Sequence, residues 1–231
     1  MSDAEITVAA IGESSAQMAL RDPDIRLMLR VRNDEGGAFE ELVATYQHRL
    51  IAVMHHLVGN ADEAEDLAQE VFLRVYRARK KYRPRSKFST WLFTIANNLA
   101  LNALRTRSRK PVVPLNLNDS GPLGPRPAEQ LVRDRAGSPT ARIQNQELVA
   151  IIRQALEGLN ERQRMAVLLN KFEDMNYAEI AEVMGLTTQA VKSLLSRART
   201  NLRQVLEPYI YMDGEPVPVT PASDADGVEE K

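Results

Sequence analysis

Thr188, Gln189, Lys192, Ser193 and Ser196 follow one another at one- and three-residue steps in a segment, TTQAVKSLLSRARTNLR, that contains no acid. Hydroxyl, amide and ammonium groups so spaced share one helical face and can hydrogen-bond base edges in a DNA major groove. Arg197, Arg199 and Arg203 on the same segment suit phosphate oxygens. A second set, Asn98, Asn102 and Arg105, recurs at steps of four and three. Asparagine on successive turns does little for helix stability but pairs well with adenine edges. Around it, Arg83, Arg85, Lys87, Arg105 and Arg107 would neutralise phosphates, and Phe88, Trp91 and Phe93 could stack on unpaired bases, although Trp91 is expected in the core. The third set has the opposite sign. Asp62, Glu63, Glu65, Asp66 and Glu70, with Gln69 among them, precede twelve Lys or Arg and no acid through Lys110. One half of that stretch wants a basic partner and the other a polyanion.

Other chemistries find no support. The absence of cysteine removes disulfides, thiolate zinc sites and cysteine nucleophiles together, and fits a reducing cytoplasm. His48, His55 and His56 fall on one predicted helix without acids at ligand spacing, so no metal site is expected. No phosphate-binding loop, nucleophile elbow or H-E-x-x-H motif occurs, so neither enzymatic activity nor a cofactor is expected. The net charge of -1 conceals segregation, because the segment 207–231 holds seven acids and one lysine. No apolar run reaches the roughly 18 residues a membrane helix needs, and MSDAEITVAA lacks a basic region leading into an apolar core. The expectation is a soluble, cytoplasmic, non-exported protein.

The elements that must position these side chains are helical. Weak helical patterning around Met18 to Val31, interrupted by Pro23, belongs to an N-terminal extension, 1–35, with no assigned role. Phe39, Leu42, Val43, Tyr46, Leu50, Val53, Met54 and Leu57 predict an amphipathic helix ending at Gly59. Asn60 with Glu63 predicts a capping box for the next helix, which buries Ala64, Leu67, Ala68, Val71 and Val75 and which Pro84 should end. A basic loop, Tyr82 to Lys87, precedes a helix from about Ser89 to Arg107. Residues 36–109 are thus a first domain. Residues 110–145, rich in proline, read as a linker. Residues 146–208 form a second domain, with capping boxes at Asn160/Gln163 and Asn176/Glu179, a left-handed turn at Gly185, a cap at Thr187, and a last helix stopped by Pro208. The acidic segment 209–231 reads as a disordered tail. The fold class is all-α: two small helical domains on a flexible Pro-rich linker.

Ala181, Gly185 four residues on and Val191 six further give the spacing of a helix-turn-helix. Together with DEAEDLAQEVFLRVYRA (62–78), FSTWLFTIANNLALNALR (88–105) and LNERQRMAVLLNKFEDMNYAEIAEVMGLTTQAVKSLLSRARTNL (159–202), the sequence resembles the extracytoplasmic-function sigma factors of bacterial RNA polymerase. The resemblance covers about 38–109 and 147–206.

It implies sigma region 2 joined to sigma region 4, with core RNA polymerase and promoter DNA, duplex and single-stranded, as partners. By similarity, the acidic helix would dock the polymerase clamp helices through Asp66, Gln69 and Glu70, with Asp62 on the same face. The Tyr82 to Lys87 loop (Arg83, Arg85, Lys87) with Asn98, Asn102 and Arg105 would recognise and open the minus-ten element. The helix-turn-helix (Thr188, Gln189, Lys192, Ser193, Ser196, Arg197) would read the minus-thirty-five element, and the linker would run toward the RNA exit path. Many relatives are held by an anti-sigma factor, a further candidate partner. Leu194 stands where the family commonly has arginine. Such a factor should be a monomer when free. The rival reading is an autonomous helix-turn-helix regulator, which should instead dimerise on a palindrome or sense a ligand; a nucleic-acid enzyme ranks behind both.

Overall fold

Asp22 and Pro23 open the first well-packed helix. The Asp22 side chain accepts from the amides of Asp24 at 2.9 Å and Ile25 at 3.4 Å, and Pro23 takes the first helical position, where its missing N–H costs nothing. The computed structural model describes residues 13–109 and 149–210, and side chains within 17–107 and 149–207. The expected linker, the acidic tail beyond 210 and the first twelve residues fall outside that range.

A short helix α1 (Glu13–Arg21) leads into α2 (Pro23–Arg32), so Pro23 interrupts the helical pattern as expected but also starts a new helix. Ile25, Leu27, Met28, Leu29 and Val31 of α2 are buried, and at roughly 2 kcal/mol per side chain their burial amounts to about 10 kcal/mol. That rivals the whole net stability of an ordinary domain, about 5–15 kcal/mol. The segment set apart as an extension therefore belongs to the first domain's core, and the boundary expected at 36 moves ahead of α2. Tyr46 completes the attachment by donating its buried hydroxyl to the Asp24 carboxylate.

Helix α3 (Ala38–Val58) ends at Gly59, whose φ of 76° is left-handed and whose N–H reaches the His55 carbonyl. Asn60 then caps α4 (Ala61–Ala78) by accepting from the Glu63 amide at 2.8 Å. Leu42, Tyr46, Leu50, Val53 and Met54 of α3 meet Ala64, Ala68, Val71 and Val75 of α4 in the core. Pro84 does not end α4. The helix stops at Ala78 and tightens into a 3-10 turn, Arg79–Lys81, before the proline is reached. The turn is pinned from outside: Arg79 Nε and the Lys80 ammonium both bind the Asp34 carboxylate, and Lys80 also donates to the Arg32 carbonyl at 2.9 Å. After the basic loop, α5 (Phe88–Arg109) buries Phe88, Leu92, Phe93, Ala96, Leu99 and Ala100.

In the second domain, α6 is described over 149–157 and α7 spans Glu161–Phe172. Asn160 and Gln163 form the expected reciprocal cap, at 2.9 and 3.2 Å. Asn176 and Glu179 form the other, ahead of α8 (Tyr177–Met184). Helix α9 runs from Thr188 to Ile210 and passes the expected stop at Pro208. A proline in the last turn forfeits only one backbone bond, which is not enough to terminate the helix there.

The described elements are all helical, in two domains, and the domains touch. Arg49 on α3 pairs with the buried Glu173 that follows α7. Arg164 on α7 donates to the Leu156, Glu157 and Leu159 carbonyls of its own domain, and to the His56 carbonyl of the other at 3.0 Å. On the opposite side α8 lies along α5, where the Asn97 amide donates to the Val183 carbonyl at 3.4 Å. The hydrophobic cluster is continuous through both halves.

Candidate nucleic-acid interface

Gly185, at φ 62°, lets the chain reverse between α8 and α9, and its N–H closes back on the Ala181 and Glu182 carbonyls. The Thr187 hydroxyl accepts from the Ala190 amide at 3.2 Å and so starts α9. Ala181, Val191, Leu195 and Ala198 are buried between the helices. That seam fixes the rotation of α9, and Thr188, Gln189, Lys192, Ser193, Ser196 and Arg197 all emerge exposed on its far side. Arg199, expected to hold phosphate, is exposed and donates to the Tyr177 hydroxyl at 2.8 Å. Leu194 is half-buried at the edge of a cleft of about 560 Å³, lined also by Leu159, Asn160, Glu161, Arg162 and Arg164.

The basic loop borders a second cleft, about 400 Å³, lined by Ala78, Lys81, Tyr82, Arg83, Arg85, Ser86, Trp91 and Glu182. Trp91 is neither fully buried nor free: its ring packs on Tyr82 at 4.9 Å and Phe88 at 5.9 Å while its edge faces the cleft. Its lining combines three cations and an indole with a single carboxylate, that of Glu182, which accepts from Ser86 Oγ at 2.7 Å. Beside it the Lys87 ammonium lies 2.8 Å from Glu179, the same residue that caps α8. Further along α5, Asn98, Asn102 and Arg105 are exposed, as their spacing implied. Arg107 is already engaged, donating to the Val58 carbonyl at the end of α3. Asn97, which the sequence did not single out, is 2% exposed and faces α8.

On α4, Asp62, Asp66 and Gln69 are exposed along one face. Glu70 is half-exposed and bonded to Arg74 at 2.8 Å, which holds its carboxyl below the usual carboxylate range. Next to these acids an apolar groove of about 320 Å³ runs between α3 and α4, lined by Phe39, Val43, Ile51, Phe72 and Leu73 among others. Leu73 and Tyr76 are unusually exposed for their size, at 49% and 43%. They continue the Gln69 face at steps of four and three, a signal present in the sequence but not singled out there. The face is an acidic row ending in apolar surface, a shape suited to a basic, amphipathic partner helix. Among the described residues no group of His, Asp or Glu is arranged to hold a metal ion, and no helix is long and apolar enough to cross a membrane.

Comparison with known proteins gives two family matches in chain order: Sigma-70 region 2 over residues 42–110, and Sigma-70, region 4 over residues 150–202. The RNA polymerase sigma-H factor of Pseudomonas aeruginosa is 34% identical over 197 residues, covering 84% of this chain and 98% of that protein. The ECF RNA polymerase sigma factor SigW of Bacillus subtilis is 31% identical over 177 residues, covering 77% of this chain and 93% of that one. The ECF RNA polymerase sigma-E factor of Escherichia coli is 32% identical over 191 residues, covering 80% and 94%. Among solved structures, CnrH in complex with the cytosolic domain of CnrY superimposes with a TM-score of 0.56 at 22% identity, over 81% of this chain and 99% of that one. The sigma factor RpoE in complex with the anti-sigma factor NepR from Bartonella quintana gives 0.56 at 23%, over 74% and 98%. These two establish likeness of fold.

Proposed function

The chain belongs to the extracytoplasmic-function sigma factors, and from that premise we propose that it binds core RNA polymerase and directs it to a particular set of promoters. The joint match of region 2 and region 4, in order on one chain, carries this reading. An autonomous regulator would need a ligand pocket or a dimer seam in its first domain, and what that domain offers instead is a charged docking face and a basic cleft.

Each face then takes a role. The α4 row of Asp62, Asp66, Gln69 and Glu70, with the apolar groove beside it, docks on the polymerase clamp helices. Arg83, Arg85 and Lys87 hold the backbone of the minus-ten element, and Asn98, Asn102 and Arg105 address its bases as the strands part. Thr188, Gln189, Lys192, Ser193, Ser196 and Arg197 meet the minus-thirty-five element in the major groove. The exposure of these side chains supports the assignment. Polymerase, not the factor, performs the chemistry, so the factor acts without an active site of its own and in the cytoplasm where the polymerase works.

Binding energy from the clamp contact holds promoter DNA that neither small basic patch could hold alone, since each neutralises few phosphates and salt weakens that attraction. An anti-sigma factor is a further partner on this reading, and one solved neighbour, RpoE of Bartonella quintana, was captured with the anti-sigma factor NepR. The test is co-purification with bacterial core RNA polymerase, followed by transcription of a genomic promoter library with and without the protein. New start sites preceded by a shared pair of elements are expected. Failure of the folded protein to bind a competent core enzyme would refute the reading.

A further inference from the structure

We propose that α8, the first helix of the helix-turn-helix, is a built-in cover: its Glu179 and Glu182 close the basic cleft of the first domain against single-stranded nucleic acid until the two domains part. A carboxylate and a phosphate present the same anionic oxygens to a cation, so an acid placed in a nucleic-acid cleft competes for the same donors. Glu182 reaches Ser86 Oγ at 2.7 Å inside the cleft lined by Lys81, Arg83, Arg85 and Trp91, and Glu179 reaches Lys87 Nζ at 2.8 Å beside it. Both acids sit on one edge of α8, three residues apart. The cover does not extend to Asn98 and Asn102, which stay exposed.

The surface beside the cover is partly polar. Lys87, Thr90, Thr94 and Asn97 recur at three- and four-residue steps along the start of α5, and the first and last of them reach α8, Lys87 at Glu179 and Asn97 at the Val183 carbonyl. Thr90 and Asn97 are 0% and 2% exposed, and Thr90 Oγ1 and Asn97 Oδ1 have no hydrogen-bond partner. Buried unpaired polar atoms weaken a contact and regain water when it opens. The contact thus sets these polar positions and a few charged bonds within the hydrophobic cluster that runs through both halves.

The inference rests on reading the cleft as a nucleic-acid surface, and its test separates the two. In the full chain, E179Q/E182Q removes both charges, while the new side-chain amide at position 179 can still accept from the Asn176 backbone N–H and keep the helix cap. E40Q/E207Q removes two charges from exposed positions elsewhere. Trp91 is the only tryptophan, so its quenching by acrylamide reports opening of the cleft directly. Binding is measured by anisotropy of a short fluorescein-labelled single-stranded DNA. Relative to E40Q/E207Q, the E179Q/E182Q protein should show stronger quenching and about 10-fold tighter binding, equivalent to about 1.4 kcal/mol. Because the chain has no cysteine, S86C/E182C can also be joined by a short bis-maleimide, and the joined form should lose binding by a similar factor against its unjoined self.

Equal quenching and equal affinity in the two double variants would overturn the cover, as would a failure to cross-link or a cross-linked form that binds undiminished. Stronger quenching with no DNA binding by the opened protein would overturn the proposal through the reading of the cleft itself.

Discussion

Arg49 and Glu173 join the two domains, and removing the arginine alone should cost about 2 kcal/mol. The Glu173 side chain is 1% exposed while that of Arg49 is 41% exposed, so nearly all the desolvation falls on the acid. Burial pushes the Glu173 carboxyl above its ordinary range, and the neighbouring guanidinium only partly opposes this. Breaking a fully buried pair from one side costs about 3–5 kcal/mol, because an uncompensated charge stays behind. Water at the arginine end screens this pair, which brings the expectation for Arg49→Met down to about 2 kcal/mol. Glu173→Gln leaves no buried charge and should cost about 1 kcal/mol or less. The double variant should resemble Glu173→Gln, giving a coupling energy of about 2 kcal/mol.

The pH dependence has a definite sign. Glu173 binds its proton more tightly folded than unfolded, so its contribution is full below the unfolded value and is lost as pH rises through the folded one. Removing Arg49 raises the folded value further, so the deficit of Arg49→Met should shrink between pH 7 and pH 5. Urea unfolding followed by circular dichroism and Trp91 fluorescence at both pH values measures it. A variant within about 0.5 kcal/mol of the parent at pH 7, or a deficit that grows at pH 5, would refute the argument.

Reversing charge on the polymerase-facing row, in D66R/E70R, should weaken co-purification with core polymerase by about 100-fold, since like charges across an interface cost several kcal/mol. The far-ultraviolet spectrum should not change; undiminished binding would sink the docking assignment. N98A/N102A should reduce promoter opening, read by permanganate reactivity, by about 10-fold or more with polymerase binding intact, at about 1–3 kcal/mol per lost base contact. Loss of polymerase binding instead would show that this face was misread. Leu194→Arg, which restores the residue common in the family, should tighten binding to minus-thirty-five duplex and steepen the salt slope by about 1. An unchanged slope would place position 194 away from the DNA backbone.

What the sequence disclosed was local. Asn160 with Gln163, Asn176 with Glu179, and Gly185 between Ala181 and Val191 specify backbone within a few residues, and the structure has each of them in the expected geometry. The exposed rows on α4, α5 and α9 followed from helical spacing alone. Helix α2 was read only as weak patterning in an extension because Pro23 reads as a break on its own, whereas Asp22 makes it a start. The end of α4 was misplaced because Asp34, more than forty residues earlier, holds Arg79 and Lys80 in a tighter turn. The domain contacts lay furthest out of reach. Arg49 and Glu173 are 124 residues apart and Ser86 and Glu182 are 96 apart, and no local pattern marks any of the four as a partner.

Arg164 bears on how fast the halves can exchange positions. Of its four carbonyl acceptors, three belong to its own domain and one, at His56, lies across the boundary. Parting the domains therefore strips this side chain of a single bond and leaves it seated, still clasping the end of α6. No helix has to be unwound and rewound in the proposed opening, which makes it a rigid-body detachment, a class of motion that runs on the microsecond-to-millisecond scale. A factor built this way can sample its separated form many times during one encounter with a slowly turning macromolecular machine, and its readiness is set by an equilibrium constant instead of a rate.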